Sequence, residues 1–212
     1  MRIVVGNVAV EGPRTDTAAP MELESLVAQA PTLLLPGPRL SLRRFDASDV
    51  PLAIAQEGDR TIMRWIRDPQ PAEAVQQRAS QMLAPWRGQD GEWLALTIVP
   101  HDLDRAVGIV VCRVTVAAHA TMEIGYRLSA EVHRRGYGLA ACTALCSFLF
   151  DVVRVRKLIA LCVVENEPSW RLMAKLGMQR EARLREYTLL DGAWRDELVY
   201  GLLAREWRPP AR

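Results

Sequence analysis

Apolar and polar positions change period several times along the chain, and each change marks an element. Alternation over 40–45 predicts a strand, after which Ser48 or Asp49 can cap a helix reaching about Gly58. Two helical stretches follow at 61–66 and 72–86, divided by Asp68, Pro69, Gln70 and Pro71. Strands are expected at 92–99, 106–116 and 121–128, with polar turns between them. The segment 138–153 has few polar residues, the pattern of a helix buried on most sides. Residues 157–164 form one apolar run and read as a strand. A short helix over 168–176 opens at Pro168 and stops at Gly177. Residues 181–190 and 194–203 flank Asp191 and Gly192 as an antiparallel hairpin. The order implies an α/β fold built on a mixed sheet.

Residues 1–36 read as an N-terminal leader with the loop composition of a flexible segment. Gly12, Pro13, Thr15, Asp16 and Pro20 favour loop, a short helix fits 21–30, and Pro36, Gly37 and Pro38 punctuate the entry to a main domain over 37–208.

Charge narrows the function classes. The chain has 27 basic and 25 acidic residues among 212, a net +2, so a protein that coats nucleic acid is not expected. Lys157 and Lys175 are the only lysines, and the arginine excess is therefore not read as phosphate binding. The most apolar stretch, 139–150, is shorter than the roughly 20 residues needed to cross a bilayer. With no signal-peptide pattern, a cytoplasmic chain without membrane association is expected. Cys112, Cys142, Cys146 and Cys162 form no Cys-x-x-Cys pair, and the three histidines are not spaced from them as in a zinc finger. Buried reduced thiols and no metal are expected.

Candidate chemistry begins at Glu123-Ile124-Gly125-Tyr126-Arg127-Leu128, where a strand ends in a basic glycine loop and a helix follows. The first N–H groups of a helix lack intrahelical partners and carry the positive end of its dipole. Gly136 and Gly138 admit a ligand close to the backbone, and Arg134 and Arg135 add charge. This pattern fits a pyrophosphate. It is neither a Walker loop nor Gly-x-Gly-x-x-Gly, because no Gly-Lys-Ser/Thr follows and position 141 is alanine. About thirty residues on, Asn166 lies past a strand end and Ser169 in the first turn of the next helix, where both face the same cleft. Glu123 alternates with Ile124 and points to the opposite face, either toward the cleft or into an ion pair. Met63 and Trp65 are candidate lining for an acceptor pocket, with core or rim packing as the alternative. His119 is assigned to a turn. No Gly-x-Ser-x-Gly elbow supports a hydrolase.

Together, His133-Arg134-Arg135-Gly136-Tyr137-Gly138, the Asn166/Ser169 pair and the closing segment from Leu184 and Arg185 through Asp191, Gly192 and Asp196 to Tyr200, Glu206 and Trp207 resemble the GNAT superfamily of acyl-CoA-dependent N-acyltransferases. Within it, the pattern is most similar to the branch of Rim-type ribosomal-protein N-terminal acetyltransferases, over about 38–207. His133 departs from the glutamine or arginine usual at the start of the cofactor loop. The resemblance implies a largely antiparallel sheet, splayed between the strands at 121–128 and 157–164, with helices on both faces. Acetyl-CoA would be the cosubstrate. Its pantetheine arm would lie along Tyr126, Arg127 and Leu128, and its pyrophosphate on Arg134, Arg135, Gly136, Tyr137, Gly138 and Leu139, with Asn166 and Ser169 across the cleft. The implied reaction is direct attack of a primary amine on the thioester. The acceptor could be a protein N-terminus, a small amine, an amino acid or an aminoglycoside; the alternative is a CoA-binding sensor or interaction module without transfer. Many relatives use a helix tyrosine to protonate the thiolate, but that position holds Met173. Ser169 and Glu123 are accordingly the expected catalytic residues, Ser169 as proton relay or thiol-orienting group.

Overall fold

The computed structural model describes residues 21–210; the expected loop before residue 21 lies outside that range. Eight strands form one sheet in the order β1-β2-β3-β4-β5-β6-β8-β7. They are β1 (Leu34–Pro36), β2 (Leu40–Arg44), β3 (Trp93–Pro100), β4 (Gly108–Val116), β5 (Thr121–Leu128), β6 (Lys157–Val163), β7 (Gln179–Leu190) and β8 (Ala193–Leu203). The helices are α1 (Leu23–Gln29), α2 (Val50–Gly58), α3 (Arg60–Met63), α4 (Ala72–Gln81), α5 (Tyr137–Asp151) and α6 (Glu167–Lys175). Neighbouring strands are antiparallel except β5 and β6, which α5 joins by the crossover that parallel strands require.

Alternation distributes the core over both faces. Buried Ala141, Cys142, Leu145, Cys146 and Leu149 of α5 share one cluster with Leu96, Ile98, Met122 and Ile124, joined by Leu26 of α1 and Met173 of α6. On the other face, Ala53 of α2 and Ala79 of α4 meet Phe45, Ala95 and Ile109. The mixed, mostly antiparallel sheet with helices on both faces is the architecture expected.

Two boundaries differ from expectation. The segment assigned to the leader contributes structure from residue 21 on. Glu22 N donates to Val153 O, β1 pairs with β2, and Leu26, Ala30, Leu33 and Leu35 are buried. Pro36 read as punctuation, yet β1 is the edge strand, where a missing N–H breaks no ladder. The helix expected over 72–86 stops at Gln81, because Trp86 turns into the core and its Nε1 donates to Glu92 O at 3.1 Å.

One feature of register positions the site. β5 and β6 pair only at Thr121↔Lys157, Met122↔Leu158 and Glu123↔Ile159. Beyond Glu123 the strands part, although β5 continues to Leu128 and β6 to Val163. Residues 124–128 and 160–163 therefore face each other across a gap.

Candidate active site

The gap opens toward the start of α5. Arg134 and Gly136 both have positive φ, 63° and 84°, and Gly136 caps the helix without a side chain. Ala140 makes the first bond back to Gly136 O, so the N–H groups of residues 137–139 precede the helical ladder. The loop is clamped from outside: Arg39 Nη2 donates to Arg135 O at 3.0 Å, and its guanidinium lies 5.3 Å from the Tyr137 ring centre. His133 Nε2 sits 3.0 Å from Leu128 O. Tyr137 is buried, and its hydroxyl donates to Asp102 Oδ2 at 2.6 Å. That bond holds the Asp102 carboxyl below, and the Tyr137 phenol above, their ordinary ranges.

These contacts refine the expected cofactor residues. Arg134 and Arg135 are exposed beside the helix start. Tyr137 offers only its backbone, because its side chain is committed to the core. Gly138 does not front open space: a Cβ there would lie 3.0 Å from Leu172 Cδ1 and 3.6 Å from Leu128 Cδ1. This glycine lets α5 approach α6 closely. Leu139 packs partly buried against the core. Arg39 and Asp102 carry no local sequence signal, since both reach the loop from distant parts of the chain.

Across the gap, Ser169 N donates to Asn166 O at 3.0 Å, which sets the first turn of α6. Asn166 occupies the cap position with its side chain uncommitted to the helix. The Tyr126 hydroxyl donates to Ser169 O at 3.0 Å and lies 3.0 Å from Ser169 Oγ. A phenol thus reaches the serine from β5, while Met173, four residues beyond the serine, is buried. Burial pushes the Tyr126 phenol well above its ordinary range. Burial likewise pushes the Cys162 thiol up to about 11, opposed by a hydrogen bond with Ser169.

The opposite sheet face carries the remaining candidates. Glu123, at the apex of the gap, accepts from Arg113 Nε at 3.0 Å and Nη2 at 2.6 Å, and Arg113 stacks on Trp93 at 4.6 Å. The ion-pair reading of Glu123 therefore holds, and the pair stands where the strands part. Arg127 turns its side chain away from the cofactor loop to Gln56 and Glu57, leaving only its backbone along the gap. Trp65 lies between the guanidinium groups of Arg64 and Arg195, at 4.5 and 5.9 Å. Buried Met63 lines a hollow of about 420 Å³ between α2, α3 and α4, together with Ile54, Glu57, Val75 and Gln76.

Among the described residues no His/Cys/Asp/Glu group is arranged to hold a metal, and no helix is long and apolar enough to cross a membrane. A parted strand pair that ends at a glycine-capped helix start can receive an elongated ligand with an anionic end.

Comparison with known proteins gives the same outline. Residues 39–179 match the family model described as an acetyltransferase (GNAT) domain. The uncharacterized N-acetyltransferase YnaD of Bacillus subtilis (strain 168) is 27% identical over 169 residues, 80% of this chain and 96% of that protein. The [ribosomal protein uS5]-alanine N-acetyltransferase of Escherichia coli (strain K12) is 28% identical over 86 residues, 41% of this chain and 44% of its own. The fold is also that of the GNAT-family acetyltransferase from Bacillus anthracis, with a TM-score of 0.72, 24% identity, and coverage of 82% of this chain and 100% of that one. The chain belongs to the GNAT family and is an N-acetyltransferase.

Proposed function

We propose that the protein transfers an acetyl group from acetyl-CoA to a primary amine, acting in the cytoplasm. The observation that carries this reading is the parting of β5 and β6 beyond Glu123, with the start of α5 at the open end. The backbone edge of residues 124–128 that faces away from β4 would hold the pantetheine arm. The N–H groups of residues 137–139, with Arg134 and Arg135, would take the pyrophosphate. Asn166 and Ser169 would flank the thioester.

The amine nitrogen attacks the thioester carbon, a C–N bond forms, the C–S bond breaks, and the ammonium proton must leave as the thiolate gains one. Glu123, oriented by Arg113, would receive the amine proton directly or through water. Ser169, bonded to Tyr126, would stabilise the thiolate or relay a proton to it. A protein N-terminus is the favoured acceptor, since a relative acts on a ribosomal protein. Small amines, amino acids and aminoglycosides remain in the panel that tests it.

The test is thiol release from acetyl-CoA with each amine, paired with mass detection of the acetylated product. Amine-dependent release with matching product supports transfer. Tight CoA binding without amine-dependent release across the panel would instead make the protein a CoA-binding module.

A further inference from the structure

On the sheet face that carries Glu123, one buried carboxylate meets three guanidinium groups. The Glu57 side chain is 3% exposed and bonds Arg127 Nη1. Arg78 Nε lies 3.6 Å and Arg67 Nη1 3.9 Å from its other oxygen. Arg127 Nε also donates to Gln56 Oε1 at 3.1 Å, which fixes its plane. Arg78 Nε and Arg127 Nη2 are buried without a hydrogen-bond partner.

The charges do not balance. Guanidinium groups remain protonated in proteins, so three cations share one anion. On the adjoining segments Asp191 pairs with Arg60 and Glu123 with Arg113, while Asp68 is turned to the Asp191 N–H at 2.8 Å. Partly buried like charges with unpartnered donors are costly to a fold, and a second anion would relieve that cost. Arg67 and Arg78, with side chains 34% and 32% exposed, present the accessible guanidinium surface.

Position narrows the ligand. Arg127 and Glu123 lie on the same face of β5, four residues apart, or about 13 Å along a strand. Glu123 marks the apex of the gap.

The geometry points to a subsite for a carboxylate of the acceptor, carried about 13 Å from the reacting amine; the inference rests on the amine-acylation reading above. An extended peptide advances about 3.3 Å per residue, so the acid falls on the fifth residue of an N-terminal peptide, or on the fourth with its side chain leaning along the chain. Arg67 and Arg78 receive the carboxylate through charge-assisted hydrogen bonds, and the Arg127–Glu57–Gln56 anchor holds them in place. Polycationic acceptors are disfavoured by the same charge.

Amidated Ala-Ala-Ala-Glu-Ala, Ala-Ala-Ala-Ala-Glu and their glutamine counterparts test this by calorimetric titration into the CoA-saturated full chain and by turnover with acetyl-CoA. At least one glutamate peptide should bind about tenfold more tightly than its glutamine twin, about 1.4 kcal/mol. Arg67→Gln and Arg78→Gln should each erase most of that preference. Their melting temperatures should hold or rise, because each removes surplus positive charge, whereas a purely structural ion pair would lower them. Equal binding of acidic and neutral peptides, no binding by any, or a preference that survives both substitutions overturns the subsite. Acetylation of all four peptides at equal efficiency would retain the transferase and sink the subsite. Tighter glutamate binding without acetylation would do the reverse.

Discussion

At the scale of single residues, the contact between Tyr126 and Ser169 is where the chemistry concentrates. The serine sits in the first turn of α6, and the phenol reaches it from the half of β5 that has parted from β6. Ser169→Ala should lower turnover about tenfold, roughly 1.4 kcal/mol of barrier, with acetyl-CoA affinity little changed. Steady-state kinetics beside a calorimetric titration check it; equal losses in both would reduce Ser169 to a cofactor contact. Tyr126→Phe removes the same link, so the double variant should be scarcely slower than Ser169→Ala alone. Sequence reasoning reached Ser169 because an asparagine and a serine three residues apart leave a local signature. It could not assign the phenol's reach, since that depends on where β5 lies relative to α6.

At the scale of elements, α5 was legible from its apolar run and glycine entry, and so was the closing hairpin. The gap was not legible from periodicity, because register between strands far apart in sequence sets it; the family resemblance supplied that expectation. Gly138 illustrates the difference between seeing a glycine and knowing its neighbour. A side chain there meets Leu172 at 3.0 Å, so Gly138→Val should lower the melting temperature before any ligand is added, by overpacking worth about 1–3 kcal/mol. Calorimetric melting decides it, and an unchanged transition would contradict the packing role. Edge strand β1 escaped detection because Pro36, Gly37 and Pro38 carry loop signals, and only the neighbouring strand reveals that Pro36 is tolerated.

At the scale of the whole molecule, the core extends into the segment before residue 37. Truncating residues 1–36 removes Leu26, Leu33 and Leu35 from it, each worth about 1.5–3 kcal/mol of burial, and should leave a chain without a cooperative melting transition. Retention of the full-length transition would refute that packing. The four buried thiols impose a pH limit. Burial raises each above its ordinary value, with Cys162 at about 11. A raised thiol contributes stability that is fully present below its unfolded value of about 8.5 and is lost as pH rises toward the folded value. Melting temperature should therefore fall between about pH 8.5 and 11, and less steeply in Cys142→Ala or Cys146→Ala. Identical slopes would exclude the thiols as the cause.

The central claim is that acetyl-CoA lies between the parted ends of β5 and β6 with its pyrophosphate on the start of α5. Hydrogen exchange read by mass spectrometry, with and without acetyl-CoA, locates the ligand without assuming an acceptor. The account predicts added protection over 124–128, 134–140 and 160–169, and little change over α2 and α4. Protection confined to α2, α3 and α4, or no protection at saturating acetyl-CoA, would contradict it.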